Sequence, residues 1–299
     1  MNWIYIAISS HFFWALANIG DKYVVGNRIK NPYVYLIWLS IVELLIIIAL
    51  PFINLAIPSL EIFLWLLLAS TIFFLASLPY IKAIKIEEIS RINIWWQLIP
   101  IFSFGIAWLF LDEKLGVNQL IAMAILVIGG ALGSIHAKKR GIAFSKAFFL
   151  MMLSCLLYSI YAVVLHYVTE FIPVIGAFIW VVIISSVVTF VLLLSKKNAI
   201  SFREEFKNIW GKKLLLFIAI IGAMNCLGMI ANIWALSLGP VALVYSMEGW
   251  QVLFVFIIAS LISTFNPKAI KEELDLKNIL LKVAALILMV VGVVMINLS

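Results

Sequence analysis

Ten times along the chain an apolar run of about 20 residues is followed by a short polar or proline-containing joint. This alternation leaves few folds open. The runs lie at 3–24, 33–53, 59–81, 90–111, 116–136, 145–168, 173–194, 212–236, 240–263 and 278–297. A helix rises 1.5 Å per residue and so crosses a ~30 Å hydrocarbon layer in about 20 residues. The strands of a membrane barrel would alternate over about ten residues, and these runs are continuous. The composition agrees: 66% of residues are hydrophobic, 12% are charged, and the mean hydropathy is +1.19, outside the range of soluble domains. The expected fold is an all-α polytopic membrane protein with ten transmembrane helices. Its joints carry residues that end helices and reverse the chain, namely Asn31-Pro32, Pro51, Pro58, Pro173, Gly239-Pro240 and Asn266-Pro267. The opening MNWIYIAISSHFF lacks a basic start and a small-residue cleavage site, so 3–24 is read as a retained span. Cys155 and Cys226 lie inside apolar runs and say nothing about redox compartment.

Charge sets the expected orientation. When the joints are numbered in order, all of the 21 lysines and arginines except Lys114 fall in the odd-numbered ones or at the run ends that flank them. The positive-inside rule makes those joints cytoplasmic and puts both termini outside, in an integral cytoplasmic membrane protein. The net charge of +7 is then a topology signal with scope for contact with anionic lipid headgroups. A nucleic-acid partner is not expected, because the charge is scattered over five short joints.

The chain also shows a faint duplication. A shift of 144 lays Ser10, Trp14 and Tyr23 over Ser154, Tyr158 and Tyr167, and a shift of 152 lays Asn93 to Phe102 over Tyr245 to Phe254. Five spans per half is an odd number, so the second half enters the membrane upside down. The expected units are a first five-helix repeat at 1–140 and a second, inverted five-helix repeat at 141–299.

The fourth run ends FLDEKL (Phe110 to Leu115), followed by Asn118-Gln119 and a fifth run ending VIGGALGS (Val127 to Ser134). With Pro100 ahead of a phenylalanine-rich stretch, this resembles the EamA-type branch of the drug/metabolite transporter superfamily. The resemblance implies a bundle of two inverted repeats around a central cavity, which exports or exchanges small metabolites by alternating access. Two features depart from the family pattern. The charge count places both termini outside where members more often have them in the cytoplasm, and the second half has Thr264 to Asp275 where a Glu-Lys-Leu hinge would fall.

Polar residues inside apolar runs are the candidate site. His11, Trp14 and Asn18 stand at i, i+3 and i+7 and share one helix face, either as a cavity wall or as packing and interhelical hydrogen bonds. Glu43 lies far from both ends of its run, where a lone charge costs at least ~2.5 kcal/mol. It serves either proton coupling and recognition or a structural pair. Glu248 is comparable, flanked by Tyr245 and Gln251, and the repeat register sets it opposite Trp96 beside Asn93 and Gln97. Ser77 with Tyr80, Asn225 with Asn232, and Tyr158 with Tyr161 extend the same set. Trp3, Trp65 and Trp180, nearer run ends, are expected as interfacial anchors. Gly129, Gly130 and Gly133 permit close helix contact, within the chain or in a homodimer through the fifth and tenth spans. The charged stretch Glu204 to Lys213 is expected as a solvated surface. No HExxH, GxSxG or Walker pattern is present, and His11, His136 and His166 fall on different spans, so neither an enzyme nor a metal or cofactor is expected.

These features together predict a secondary transporter that exports a small metabolite, an amino acid or a similar polar or aromatic solute. Its cavity would be lined by helices 1, 3, 4, 6, 8 and 9, with Glu43 or Glu248 exchanging a proton and membrane lipids around the bundle. A lipid-linked-sugar flippase and a membrane assembly subunit without transport are the alternatives.

Overall fold

The computed structural model describes residues 2–53, 55, 57–87, 92, 95–134, 146–209, 212–265 and 276–298. Asn93 lies outside these residues. The described residues form helices joined by short connections. In chain order they are α1 (Asn2–Asn27), α2 (Pro32–Glu43), α3 (Leu60–Ile86), α4 (Leu98–Phe110), α5 (Val117–Ser134), α6 (Lys146–Thr169), α7 (Val174–Thr189), α8 (Lys196–Ile209), α9 (Lys213–Leu236), α10 (Val241–Ser246), α11 (Gly249–Phe265) and α12 (Leu276–Leu298). α2 runs on as 3-10 turns through Leu44–Phe52, and α7 does the same through Phe190–Leu194.

Among the described residues seven helical stretches are long and apolar enough to cross a membrane: Pro32–Phe52, Leu60–Ile86, Lys146–Thr169, Val174–Leu194, Lys213–Leu236, Val241–Ile262 and Ile279–Ile296. Leu98–Phe110 and Val117–Leu132 are shorter apolar helices. α1 has 26 residues, enough length, but His11, Asn18, Asp21 and Lys22 dilute its apolar character. Large apolar side chains such as Leu64, Leu68, Ile128 and Leu216 stand exposed around the bundle, as acyl chains rather than water require. The chain is an integral membrane protein. Inside it, hydroxyls return to their own helices: Ser10 Oγ donates to Ala7 O at 2.7 Å and Ser70 Oγ to Leu66 O at 2.7 Å, which satisfies them without water.

Local chemistry accounts for the helix starts. Asn31 Oδ1 accepts the Tyr33 N–H at 3.0 Å with Pro32 in the first turn, and Ser59 Oγ accepts the Ile62 N–H at 3.3 Å. Three runs differ from the sequence expectation. The ninth breaks at Met247 and Glu248 between α10 and α11, where the backbone makes i to i+3 turns instead of α bonds. The second loses α geometry directly after Glu43, so this carboxyl stands on the last α turn and not within a longer helix. The charged joint after the seventh run is itself an amphipathic helix: in α8, Arg203, Glu204 and Lys207 are exposed. The rings of Phe202 and Phe206 pack 5.3 and 5.6 Å from Trp38, so only one face of this stretch is solvated.

The contacts define two ends of the bundle. At one end Lys22 Nζ donates to the carbonyls of Ile84 and Glu87 at 2.8 and 2.9 Å, Lys85 Nζ donates to Lys30 O, and Asn31 Nδ2 donates to Asn198 Oδ1 at 3.0 Å. Basic joints thus gather together. At the other end Val241 N–H donates to Glu113 Oε2 at 3.0 Å and His166 Nδ1 donates to Leu236 O at 2.5 Å. Here Trp3 is 8% exposed, and a Cβ on Gly239 would stand 2.7 Å from its ring. Trp3 is therefore a packing residue and not an interfacial anchor, because the missing side chain at Gly239 leaves room for the indole.

The densest helix pairings are α3 on α6, α5 on α12 and α1 on α9, followed by α4 on α6, α1 on α11, α3 on α7 and α2 on α9. The glycines of α5 are used within the chain. A Cβ at Gly129 would meet Met289 Cγ at 3.0 Å, and one at Gly292 would meet Leu126 Cγ at 2.6 Å. The two helices approach because neither carries a side chain at its crossing.

Candidate functional site

A cavity of about 150 Å³ lies between the helices. α1 contributes Trp14, Asn18 and Asp21; α2 contributes Tyr35, Ser40 and Glu43; α3 contributes Phe73, Ser77 and Tyr80; and Trp96 and Ile99 come from the entry to α4. From later in the chain come Tyr158 and Tyr161 of α6, Ser185 and Thr189 of α7, Asn225 and Met229 of α9, and Tyr245, Glu248 and Gln251 around the α10–α11 break. On α1, α2, α3 and α7 these residues fall in the part nearer the basic joints. On α6, α9 and around the α10–α11 break they fall in the part away from those joints, so the cavity lies within the depth of the bundle.

Two hydrogen-bonded groups organise its walls. In the first, Asp21 accepts from the Tyr35 hydroxyl through Oδ1, while Tyr80 OH donates to Asn18 Oδ1 at 2.9 Å and lies 3.4 Å from Asp21 Oδ2. In the second, His11 Nδ1 lies 3.3 Å from Glu248 Oε2 and 3.5 Å from Gln251 Oε1. Glu43 and Asn225 both line the cavity. Between them runs an aromatic row, with ring centroids 5.3 Å apart for Tyr80 and Trp96, 5.5 Å for Trp96 and Tyr158, and 5.6 Å for Tyr158 and Phe73. Ser77 Oγ lies 3.1 Å from Tyr158 OH and ties the row to α3. Trp14 is pressed against α9 at Gly228, where a Cβ would fall 2.6 Å from its indole nitrogen.

Of the residues singled out from sequence, Trp14, Asn18, Glu43, Ser77, Tyr80, Trp96, Tyr158, Tyr161, Asn225, Tyr245, Glu248 and Gln251 line this space. His11, Gln97 and Asn232 stand behind its wall. His11 is fully buried against Glu248 and Gln251, and Asn232 Oδ1 accepts from Tyr245 OH at 3.1 Å. Gln97 occupies the turn before α4, which swings its amide onto Gly130 of α5, so that a Cβ there would lie 2.4 Å from Oε1. Asp21, Tyr35, Ser40, Ser185 and Thr189 went unnoticed in the sequence. The signal for Asp21 was available: it continues the His11, Trp14, Asn18 face by one more helical step. α2 and α7 join the six helices expected to form the walls.

The geometry can be set beside known proteins. Residues 1–135 match the model of the EamA-like transporter family. The N-terminal half of the chain is EamA-like. That half ends on the FLDEKL hinge and the VIGGALGS helix, and the family is one of membrane transporters. Among solved structures, one described only as the crystal structure of a protein superposes over 99% of this chain and 96% of its own, with a TM-score of 0.69 at 11% identity. The fold is therefore shared along the whole length. None of the curated proteins compared with the chain matches it. Among the described residues, no group of three or more His, Cys, Asp or Glu is placed to hold a metal ion.

Proposed function

We propose that the EamA-like chain is a secondary transporter in which two inverted five-helix repeats, 1–140 and 141–299, rock about the central cavity and carry a small solute across the cytoplasmic membrane. The observation that carries this reading is the cavity itself, a polar, aromatic space walled by helices from both halves of a chain whose outer surface is apolar. Inverted repeats find support in the packing. Exchanging the halves takes α1 to α6, α2 to α7, α3 to α9, α4 to α10 and α11, and α5 to α12. Under that exchange the α3–α6 pairing becomes α9–α1, α4–α6 becomes α11–α1, α3–α7 becomes α9–α2, and α5–α12 maps onto itself. The 3-10 endings of α2 and α7 correspond, as do the turn at Gln97 and the break at Met247. Interrupted helices at matched positions are where such folds bind their solutes.

In this mechanism Trp14, Tyr80, Trp96 and Tyr158 hold the planar or apolar part of the solute, while Asn18, Asn225, Tyr245 and Gln251 bond its polar groups. Glu43 or Glu248 exchanges a proton. The gathered basic joints face the cytoplasm, both termini lie outside, and the solute is carried outward. Uptake into liposomes that ignores a pH gradient and survives Glu43→Gln and Glu248→Gln would remove the proton-coupling step. Cysteines placed at Lys30 and at Asp112, labelled from one side at a time, decide the orientation.

A further inference from the structure

We infer that the solute of this cavity is a small organic cation, an amine or substituted ammonium bearing a ring-sized apolar group and a neutral hydrogen-bond acceptor. The inference rests on the cavity being the solute site, as proposed above, and is independent of whether the solute is moved.

Charge carries the first step. Asp21, Glu43 and Glu248 all line the cavity, and among the described residues its lining includes no lysine, arginine or histidine. Lys22, next to Asp21 in sequence, directs its ammonium to the carbonyls of Ile84 and Glu87. Among the described residues, Glu248 alone of the three has an imidazole near it, that of His11 behind the wall. The hydrogen bonds described for Asp21 come from the hydroxyls of Tyr35 and Tyr80, and the lining that Glu43 shares includes the neutral amide of Asn225. Such donors occupy lone pairs but bring no opposing charge. A carboxylate kept out of water needs one, and a cationic solute supplies it. The carboxylate of an anionic or zwitterionic solute would find no counter-charge among these lining groups.

Two further observations point to the rest of the molecule. The aromatic row along one wall presents Trp and Tyr rings, whose faces attract ammonium groups. Asn18 Nδ2 and Trp96 Nε1 belong to lining side chains that are 8% and 7% exposed, and among the described residues neither atom has a hydrogen-bond partner. Two buried donors without partners call for an acceptor. A neutral one, such as a carbonyl or hydroxyl, answers them without adding negative charge. Size completes the description, because a cavity of about 150 Å³ holds one benzene ring.

The test is a ligand series that varies charge on one ring: benzylamine, phenylglycinamide, phenylglycine, benzyl alcohol and benzoate, each titrated at millimolar concentrations against thermal unfolding of the purified full-length protein. Benzylamine and phenylglycinamide should stabilise it saturably, the amide more tightly, and phenylglycine and benzoate should bind at least about tenfold more weakly. Asp21→Asn should weaken benzylamine by about tenfold and leave benzyl alcohol where it was. If that variant does not fold, Glu43→Gln carries the same expectation. Equal affinity for phenylglycine or benzoate, no advantage of benzylamine over benzyl alcohol, or no shift with any of the five would overturn the inference. Counterflow in proteoliposomes separates it from the transport reading. A cation that binds but does not exchange removes transport alone, whereas phenylglycine exchanging in preference to benzylamine keeps transport and removes the cation.

Discussion

The contact between α1 and α9 at Trp14 can be tested by adding one methyl group. A Cβ at Gly228 would stand 2.6 Å from both Cδ1 and Nε1 of Trp14 and 3.1 Å from Cγ, where carbon contacts settle at about 3.5–4.0 Å. Gly228→Ala must therefore push the indole roughly 1 Å off α9, and the indole lines the cavity. Overpacking of this kind costs about 1–3 kcal/mol, while replacing glycine inside a helix returns about 0.8–1.0 kcal/mol. Gly105→Ala isolates the second contribution, because Gly105 lies within α4, is exposed, and would have nothing within 4 Å of its new Cβ. The difference in unfolding free energy between the two variants, measured in the same detergent, should thus be about 1–3 kcal/mol whatever the propensity scale in that medium. Binding of the best ligand to Gly228→Ala should fall about two- to tenfold, since an aromatic contact is worth about 0.5–1.5 kcal/mol. If both variants are stabilised equally and affinity is unchanged, Trp14 is not packed on α9 and does not shape the cavity.

Two other sites yield separate expectations. Burial pushes the Glu113 carboxyl above its ordinary 4.5, against the pull of the Val241 and Ala242 amides. Stability tied to its protonated form is then full below 4.5 and is lost as pH rises through the raised value. Glu113→Gln should flatten this part of the pH profile of unfolding, and parallel profiles for the two proteins would show that Glu113 does not titrate in this way. Phe202→Ala should destabilise by about 1–3 kcal/mol and expose α8 to protease, because it removes the ring stacked on Trp38. An unchanged melting temperature together with unchanged cleavage would mean that the stack does not hold α8.

Run length and joint chemistry carried most of the architecture. The structure begins α7 at Val174 and α9 at Lys213, within a residue of the runs at 173 and 212, because Pro173 and the charge at Lys212 and Lys213 end apolar stretches unambiguously. The interruptions were harder to see. The local signal in VALVYSMEGWQV for a break at Met247 is slight: a single poor helix former, Gly249, where α11 begins. Glu43 and Glu248 stood out because a carboxyl is conspicuous in an apolar run. Asp21 did not, because it precedes Lys22 near the end of its run and resembles the start of a polar joint; its partners Tyr35 and Tyr80 are distant in sequence and come together only when three helices pack. Ser185 and Thr189 give no signal at all, since small hydroxyl residues in a span most often bond their own backbone, as Thr189 does to Ser185 O. The amphipathic face of α8 was legible in the spacing of Phe202, Phe206 and Ile209, but the charges around it drew attention first.

The bond from the Val241 amide to Glu113 deserves a mechanical description. It fastens the first residue of a six-residue helix to the hinge of the other half, at the end of the molecule away from the basic joints. In the proposed cycle a solute departing by that end has to draw this bolt, and a hydrogen bond of this kind resists by about 0.5–1.5 kcal/mol. On that reading Glu113 would govern how long this end stays shut, although it lines no part of the cavity.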